Sequence, residues 1–112
     1  MLSKPNRLNL SREYYKIKKG NLFIQTPIFK VFYAESGDVQ PRIGFVVSHH
    51  IGKAVVRNRV RRLLAEEVRK NLSKFPKKMK LVFIAKHNII SLKHGEISTF
   101  INQVLSKIPE PK

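Results

Sequence analysis

The residues best suited to do chemistry in this sequence are the arginines between positions 57 and 69. Five arginines and one asparagine fall in this stretch: Arg57, Asn58, Arg59, Arg61, Arg62 and Arg69. A guanidinium group donates two parallel hydrogen bonds to a phosphate and can also stack on a base. Because a lysine ammonium group lacks this planar fork, the run of arginines indicates a surface that binds the backbone of a nucleic acid.

A long helix from Lys53 to about Leu72 is predicted to position these side chains. Its apolar residues follow i, i+4, i+7 and i+8 spacing and form a stripe for the core: Val56, Val60, Leu63 and Leu64. The opposite side is predicted to carry Asn58, Arg62, Ala65 and Arg69, flanked by Arg57 and Arg61 on one side and Arg59 on the other. Like charges at i, i+4 destabilise a helix by about 0.2–0.5 kcal/mol per pair, and a merely solvated face usually alternates in sign. We therefore interpret this side as a binding surface.

The whole chain is strongly basic. Its 112 residues include 23 Lys and Arg against 7 Asp and Glu, which gives a formal net charge of +16. Such an excess destabilises a folded domain by self-repulsion unless polyanions neutralise it, and phosphate contacts dominate nucleic-acid affinity. Composition therefore favours a nucleic-acid-binding protein over a membrane-surface or merely soluble basic protein, but it does not separate RNA from DNA.

Length and composition also set the class of protein. We expect a single domain over residues 1–112, with 109–112 as a frayed tail. The absence of cysteine excludes a disulfide framework, Cys-ligated zinc and a thiol nucleophile. No apolar run approaches the roughly 20 residues of a membrane span, and the first ten residues lack an apolar signal region. These features predict a cytoplasmic protein.

The remaining segments alternate between helical and extended patterns. We predict a helix over 12–19 with Ser11 as N-cap, strands over 28–33 and 42–48, a third strand over 80–85 and a final helix over 92–108. The spacing of the first two strands suggests an antiparallel hairpin, although alternation would not reveal a fourth, short strand near them. The order α-β-β-α-β-α predicts an α+β fold, a two-layer sandwich with one central mixed sheet.

Two segments of the chain carry a recognisable motif, Gly-Phe-Val-Val-Ser at 44–48 and Ile-Gly-Lys-Ala-Val-Val-Arg-Asn-Arg-Val-Arg-Arg at 51–62. Together they closely resemble the core motif of the bacterial ribonuclease P protein family. The likeness extends to Asn6-Arg7-Leu8, to Tyr14 and to the third strand with Lys86 after it, so it covers nearly the whole chain. The resemblance implies a left-handed strand–helix–strand crossover that carries the arginine helix.

The resemblance also implies a function. In this family the protein does no chemistry itself, whereas an RNA subunit with bound Mg²⁺ removes the 5′ leader from precursor tRNA. The partners implied are therefore the ribonuclease P RNA subunit and precursor tRNA, with the protein monomeric in the ribonucleoprotein and without a cofactor of its own.

Site residues follow from the resemblance by position. The set expected to face RNA is Lys53, Arg57, Asn58, Arg59, Arg61, Arg62 and Arg69. A cleft between the first helix and the sheet is expected to hold the leader, and its residues are Tyr14, Lys30, Phe32 and Ser48. In such a cleft, aromatic rings stack on unpaired bases and cations follow the backbone with little dependence on sequence. No catalytic or metal-binding residue is expected.

This sequence departs from the family pattern at three places. His49 and His50 stand where the family usually has two lysines. The first helix is one residue shorter, so Ile17 or Lys18 stands where a second aromatic is expected in the cleft. Lys80 opens the third strand, where the family often has an acidic residue. These departures bear mainly on the leader cleft.

Other candidate sites have simpler interpretations. His49 and His50 would point to opposite faces of an extended strand, and the usual zinc spacings are absent. Glu66 and Glu67 lack a His or Ser companion for acid–base chemistry, so we expect them to pair with helix arginines. Phe32 is either a core residue or a base platform, and the sequence leaves both open.

Three other functions remain compatible with composition. One is a ribosomal or other structured-RNA-binding protein without a processing role. Another is a stand-alone nuclease, although the sequence lacks an acidic cluster for Mg²⁺ and an evident base. The third is a DNA-binding protein whose arginine helix enters the major groove. Only the motif string favours ribonuclease P over these three.

Overall fold

Three helices and one four-stranded sheet make up the part of the chain that the computed structural model describes, which is residues 2, 4–92 and 94–109. The main elements are α1 Leu10–Lys19, β1 Phe23–Gln25, β2 Phe29–Glu35, β3 Arg42–Val46, α2 Ala54–Lys70, β4 Met79–Ala85 and α3 His94–Lys107. One-turn 3₁₀ helices lie at Lys4–Asn6, His49–Ile51, Leu72–Lys74 and His87–Ser91. The predicted fold class is confirmed, while residues 110–112 of the predicted tail lie outside the described part.

The strand order is β1-β2-β4-β3, so the predicted hairpin of β2 with β3 is wrong. β4 lies between β2 and β3, antiparallel to the first and parallel to the second, and the hairpin instead joins β2 to the short strand β1. The physical reason is the apolar run in β4, where Leu81, Val82 and Phe83 are fully buried. Such a strand needs cover on both faces and partners on both edges, so it occupies the centre of the sheet.

Helix α2 connects the two parallel neighbours β3 and β4, which is the crossover that the resemblance implies. The left-handed sense of that crossover stays a prediction. Because parallel neighbours need a crossover of a dozen or more residues, α2 starts where β3 ends and returns along the sheet. The first turn of α2 therefore lies at the carboxyl end of β3, close to the motif residues 44–48.

One face of the sheet packs on α2 and α3 and holds the larger core. Phe29 and Phe83 are fully buried there and contact each other edge to face, with ring centroids 5.2 Å apart. The predicted apolar stripe of α2 is confirmed, because Val60 and Leu64 are buried and the other two stripe residues pack against the same cluster. Helix α3 adds Ile97, Ile101 and Val104.

The predicted outer side of α2 is wrong at one residue, Ala65. It was expected beside Arg62 and Arg69, but it is only 3% exposed. The N-terminal segment covers this flank, since the buried Leu2 lines the same cavity as Ala65. The other members of the predicted outer set, Asn58, Arg62 and Arg69, are exposed. Helical periodicity cannot reveal cover by a segment that lies far away in sequence.

Helix α1 packs on the other face, over β2 and β4. It begins at Leu10, and Asn9 rather than Ser11 is its N-cap, because the Asn9 side chain accepts a hydrogen bond from the Arg12 backbone N–H at 3.3 Å. Leu10 packs against β3 at Gly44, where an added Cβ would lie 2.6 Å from Leu10 Cδ2. The close approach of α1 to the sheet therefore depends on that glycine.

Candidate nucleic-acid interface

The turn before α2 is held by one of the predicted RNA-facing arginines. Arg57 Nη1 donates to the Gly52 carbonyl at 3.0 Å and lies 3.1 Å from His49 Nδ1, which can accept a hydrogen bond when it is unprotonated. Gly52 has φ 148°, a conformation that residues other than glycine rarely adopt. The half-buried Arg57 therefore ties the loop to the helix, a structural role that its position in the motif does not reveal.

The outward cations of α2 differ in how they are engaged. Arg59 and Arg62 are exposed and, among the described residues, neither has a hydrogen-bond or ion-pair partner. The half-buried Arg61 donates to the Asn58 Oδ1 atom at 2.6 Å, which orients both groups. Lys53 stands at the N-cap position without capping the helix through its side chain. We call Lys53, Asn58, Arg59 and Arg62 the arginine face.

The C-terminal half of α2 is partly neutralised. Arg69 Nη2 lies 2.7 Å from Glu66 Oε1, and this hydrogen-bonded cation holds the pKa of Glu66 below its ordinary value. The buried Glu67 carboxylate lies 3.4 Å from Lys70 Nζ. The predicted pairing with helix arginines is thus confirmed for Glu66, whereas Glu67 pairs with a lysine. Arg69 is less available to an external phosphate than the cations of the arginine face.

Positive charge at the start of α2 opposes the helix dipole. The N-terminal end of a helix carries partial positive charge and favours acidic residues, yet the first turn of α2 contains none. The cations at this end, Lys53 at the N-cap position and Arg57 in the first turn, are unfavourable for the isolated helix. An external polyanion relieves both the dipole and the mutual repulsion of the side chains, so this end of α2 is suited to bind phosphates.

A second surface lies between α1 and the sheet. One row of residues crosses all four strands in register, Gln25, Lys30, Ile84 and Val46. Its last three members are half-buried and Gln25 is exposed, because α1 covers the row incompletely. Tyr14 of α1 packs against the small core beneath, with Lys18 Nζ 5.6 Å from its ring centroid. We call this row with Tyr14 the cleft.

The aromatic residues of the cleft separate into buried and exposed rings. Phe32 is 4% exposed and packs with Ile17 and Val82, which favours the core interpretation that the sequence left open. Phe23 of β1 lies opposite Phe32 and is 40% exposed, with the ring centroids 5.6 Å apart. The sequence pattern did not reveal Phe23, because a three-residue strand carries almost no alternation signal.

The cleft and the arginine face are close along the chain. Residues 47–53 join the end of β3 to the start of α2. Ser48, the last predicted cleft residue, is exposed in this connection and makes no capping hydrogen bond to the following 3₁₀ turn. Ile17 is buried, so Lys18 is the residue of α1 that stands on the outer side next to Tyr14. The connection after β3 thus joins the cleft to the start of α2, whereas Arg69 lies in the last turn of that helix.

Metal-binding clusters and membrane-spanning helices are both lacking in the described part of the chain. Within residues 2, 4–92 and 94–109, no group of three or more His, Asp or Glu side chains is arranged to hold a metal ion. None of the helices in the same part of the chain has the length and apolar character needed to cross a membrane.

Known proteins with similar sequences point to one family. A family model described as Ribonuclease P matches residues 2–109. The ribonuclease P protein component of Finegoldia magna is 34% identical over 112 residues, covering 99% of this chain and 97% of the relative. The same component of Alkaliphilus oremlandii is 31% identical over 103 residues, covering 92% of this chain and 90% of the relative.

Solved structures agree with the sequence relatives. The RNase P protein from Thermotoga maritima superposes with a TM-score of 0.85 at 27% identity, covering 92% of this chain and 97% of that chain. A Staphylococcus aureus RNase P protein, a mutant with defective mRNA degradation activity, gives a TM-score of 0.83 at 22% identity, with 92% and 87% covered. The second likeness supports the fold alone.

Proposed function

This chain belongs to the ribonuclease P protein family, and we propose that its two surfaces serve different RNAs. It is the protein component of ribonuclease P, a ribonucleoprotein endoribonuclease, and it assists removal of the 5′ leader from precursor tRNA. Its partner is the ribonuclease P RNA. A structured-RNA-binding protein without a processing role is not favoured, because the match covers residues 2–109.

The arginine face is proposed to bind the RNA subunit. The observation that carries this assignment is the exposure of Arg59 and Arg62 on the outward side of α2, where neither has a partner among the described residues. Arg61 and Asn58 form a hydrogen-bonded pair that presents both groups on the same surface. Arg57 is proposed to contribute mainly by shaping the loop at His49–Gly52, and Arg69 to contribute weakly because Glu66 competes for it.

The cleft is proposed to bind the single-stranded leader of precursor tRNA. Lys30 supplies a cation, Tyr14 supplies an aromatic edge, and the exposed Ser48 lies in the connection that leads to the arginine face. Such a combination grips a flexible strand with little sequence preference. Phe32 is proposed to support the cleft from beneath, since its ring is buried.

The RNA subunit is proposed to carry the chemistry, with Mg²⁺ bound by the RNA. In this division of roles, the chain contributes positive charge and positioning. We also propose that the protein is monomeric within the ribonucleoprotein and cytoplasmic. The net charge of +16 then offsets part of the phosphate repulsion that Mg²⁺ otherwise screens.

Multiple-turnover cleavage of a precursor tRNA tests this proposal. A bacterial ribonuclease P RNA is assayed at low Mg²⁺ with and without the protein, and the product ends are mapped. We expect strong rescue with a 5′-phosphate at the mature end, because the protein replaces missing counter-charge. Tight RNA binding without rescue would contradict the processing role. Cleavage by the protein alone would contradict the proposed division of chemistry.

A further inference from the structure

Phe23 is an exposed aromatic ring on a part of the sheet that α1 leaves open. Within β1, Ile24 is buried and its neighbours Phe23 and Gln25 are exposed, so the two exposed residues share the face that bears the cleft. Helix α1 packs over β2 and β4. The face of β1 therefore extends the floor of the cleft beyond the helix.

Lys30 connects this extension to the cleft. Its ammonium nitrogen lies 4.1 Å from the centroid of Phe23 and 4.9 Å from the centroid of Phe32. No ion pair or hydrogen bond of Lys30 occurs among the described residues, so these ring contacts are what hold the cation. A cation over an exposed ring is held weakly and exchanges readily for a charge-assisted hydrogen bond.

We propose that Phe23 is the base-stacking platform of this chain, and that Lys30 moves from its ring to a phosphate when an unpaired nucleotide arrives. The occupant is a nucleotide of the precursor leader, so the inference rests on the proposed leader function and names the residue that grips it. The base stacks on the face of the Phe23 ring that the Lys30 ammonium group occupied before. The phosphate then binds that ammonium group in place of water.

Other rings of the same surface are less suited to this role. Phe32 is too deeply buried to offer a face to a base. Tyr14 is half-buried and its ring lies 5.2 Å from that of Tyr15, with Lys18 on its outer side. The position in α1 that lacks an aromatic in this sequence is thus replaced in function by a ring on the opposite border of the cleft. A single exposed hydrophobic residue needs no explanation by itself, so the test must separate stacking from packing.

The experiment uses ribonuclease P reconstituted from the full chain and a bacterial RNA subunit. Affinity is measured for mature tRNA and for precursors whose leaders lengthen by one nucleotide at a time. We expect Phe23→Ala to lower precursor affinity by about 5- to 100-fold once the leader reaches the platform, with mature tRNA binding and assembly unchanged. Val39→Ala is the matched control, because Val39 is an apolar residue 63% exposed in the loop between β2 and β3.

Two further variants distinguish a planar ring from apolar bulk. Phe23→Trp keeps a stacking face and should retain the precursor preference, whereas Phe23→Leu keeps only bulk and should lose it as alanine does. Lys30→Met should lower the salt slope of precursor binding by about 0.7, the value of one single-strand phosphate contact. Unfolding of the free protein is followed in parallel to show that each variant folds.

Each remaining outcome decides against part of the proposal. If the wild-type enzyme prefers the precursor and Phe23→Ala or Phe23→Leu keeps that preference at every leader length, the platform is overturned while the leader function stands. If the wild-type enzyme shows no preference for the precursor, the leader function fails and the platform fails with it. An unchanged salt slope for Lys30→Met would overturn the proposed movement of the cation.

Discussion

The arginine face and the cleft are both cationic, but they depend on the core in opposite ways. Arg59 and Arg62 extend from a helix whose other side is packed, so the binding groups and the packing groups are different residues. In the cleft, Lys30 and Phe23 rest on Phe32, which is itself part of the small core under α1. The helix face can therefore be altered without loss of stability, whereas a change at the buried Phe32 alters stability and binding together.

Phe32→Ala is expected to have the largest effect of the variants that compare the arginine face with the cleft. We expect the free energy of unfolding to fall by about 3–5 kcal/mol, because a buried ring is replaced by a cavity. Urea unfolding of the free protein measures this effect. Loss of precursor binding without loss of stability would mean that Phe32 contacts the leader directly and is not a support.

The double variant Arg59→Ala with Arg62→Ala is expected to weaken binding without a change in stability. We expect affinity for the RNA subunit to fall by about 100-fold at low salt and the salt slope to fall by about two, while unfolding is unchanged. Filter binding across a salt series measures both quantities. Lys74→Ala with Lys107→Ala removes the same charge from exposed sites elsewhere and is the control. Equal losses in the two double variants would show that net charge matters and the face does not.

Arg57→Ala tests a residue that is expected to contribute both to stability and to RNA binding. Losing the hydrogen bond to the Gly52 carbonyl should reduce the free energy of unfolding by about 1 kcal/mol and weaken RNA binding through the loop. Thermal unfolding and RNA affinity are compared with those of Arg59→Ala, which should affect affinity alone. A stability equal to the wild type would show that the loop does not need this contact.

The smallest expected effect is that of Glu66→Gln. Because Arg69 lowers the pKa of Glu66, the ion pair stabilises the fold above the ordinary value of 4.5 and is lost as pH falls through the lowered pKa. The variant should therefore lose less stability on acidification than the wild type. It should also bind RNA about two- to threefold more tightly at neutral pH, since Arg69 is released. Weaker RNA binding would show that the pair orients Arg69 for its ligand.

Local periodicity predicted the elements of this fold well. The apolar stripe of α2 and the third strand at 80–85 were both predicted correctly, because each depends on residues near in sequence. The pairing of β2 with β3 was wrong, since partners are chosen by competition for the most apolar strand, and β4 comes later in the chain. Strand β1 was missed because three residues are too few for a pattern.

The candidate sites divide in the same way. The motif located the arginines, yet it could not show that Arg57 is engaged with the Gly52 carbonyl. The pairing of Glu66 with a helix arginine was predicted correctly, because the two residues lie one turn apart. Ala65 was misplaced because the N-terminal segment covers its flank of the helix. Phe23 could not be found, because its exposure depends on where α1 ends over the sheet. The contact of a side chain with the loop before its helix, and cover by distant segments, depend on the folded arrangement, which spacing alone does not encode.

The missing side chain at Gly44 has a consequence for how α1 is seated on the sheet. Leu10 packs directly on that backbone, and an added Cβ would lie 2.6 Å from its Cδ2 atom. Because a contact this short cannot persist, Gly44→Ala would displace the Leu10 side chain or lift the first turn of α1. Tyr14 lies one turn further along the same helix, so a single methyl group added to β3 would shift one border of the cleft.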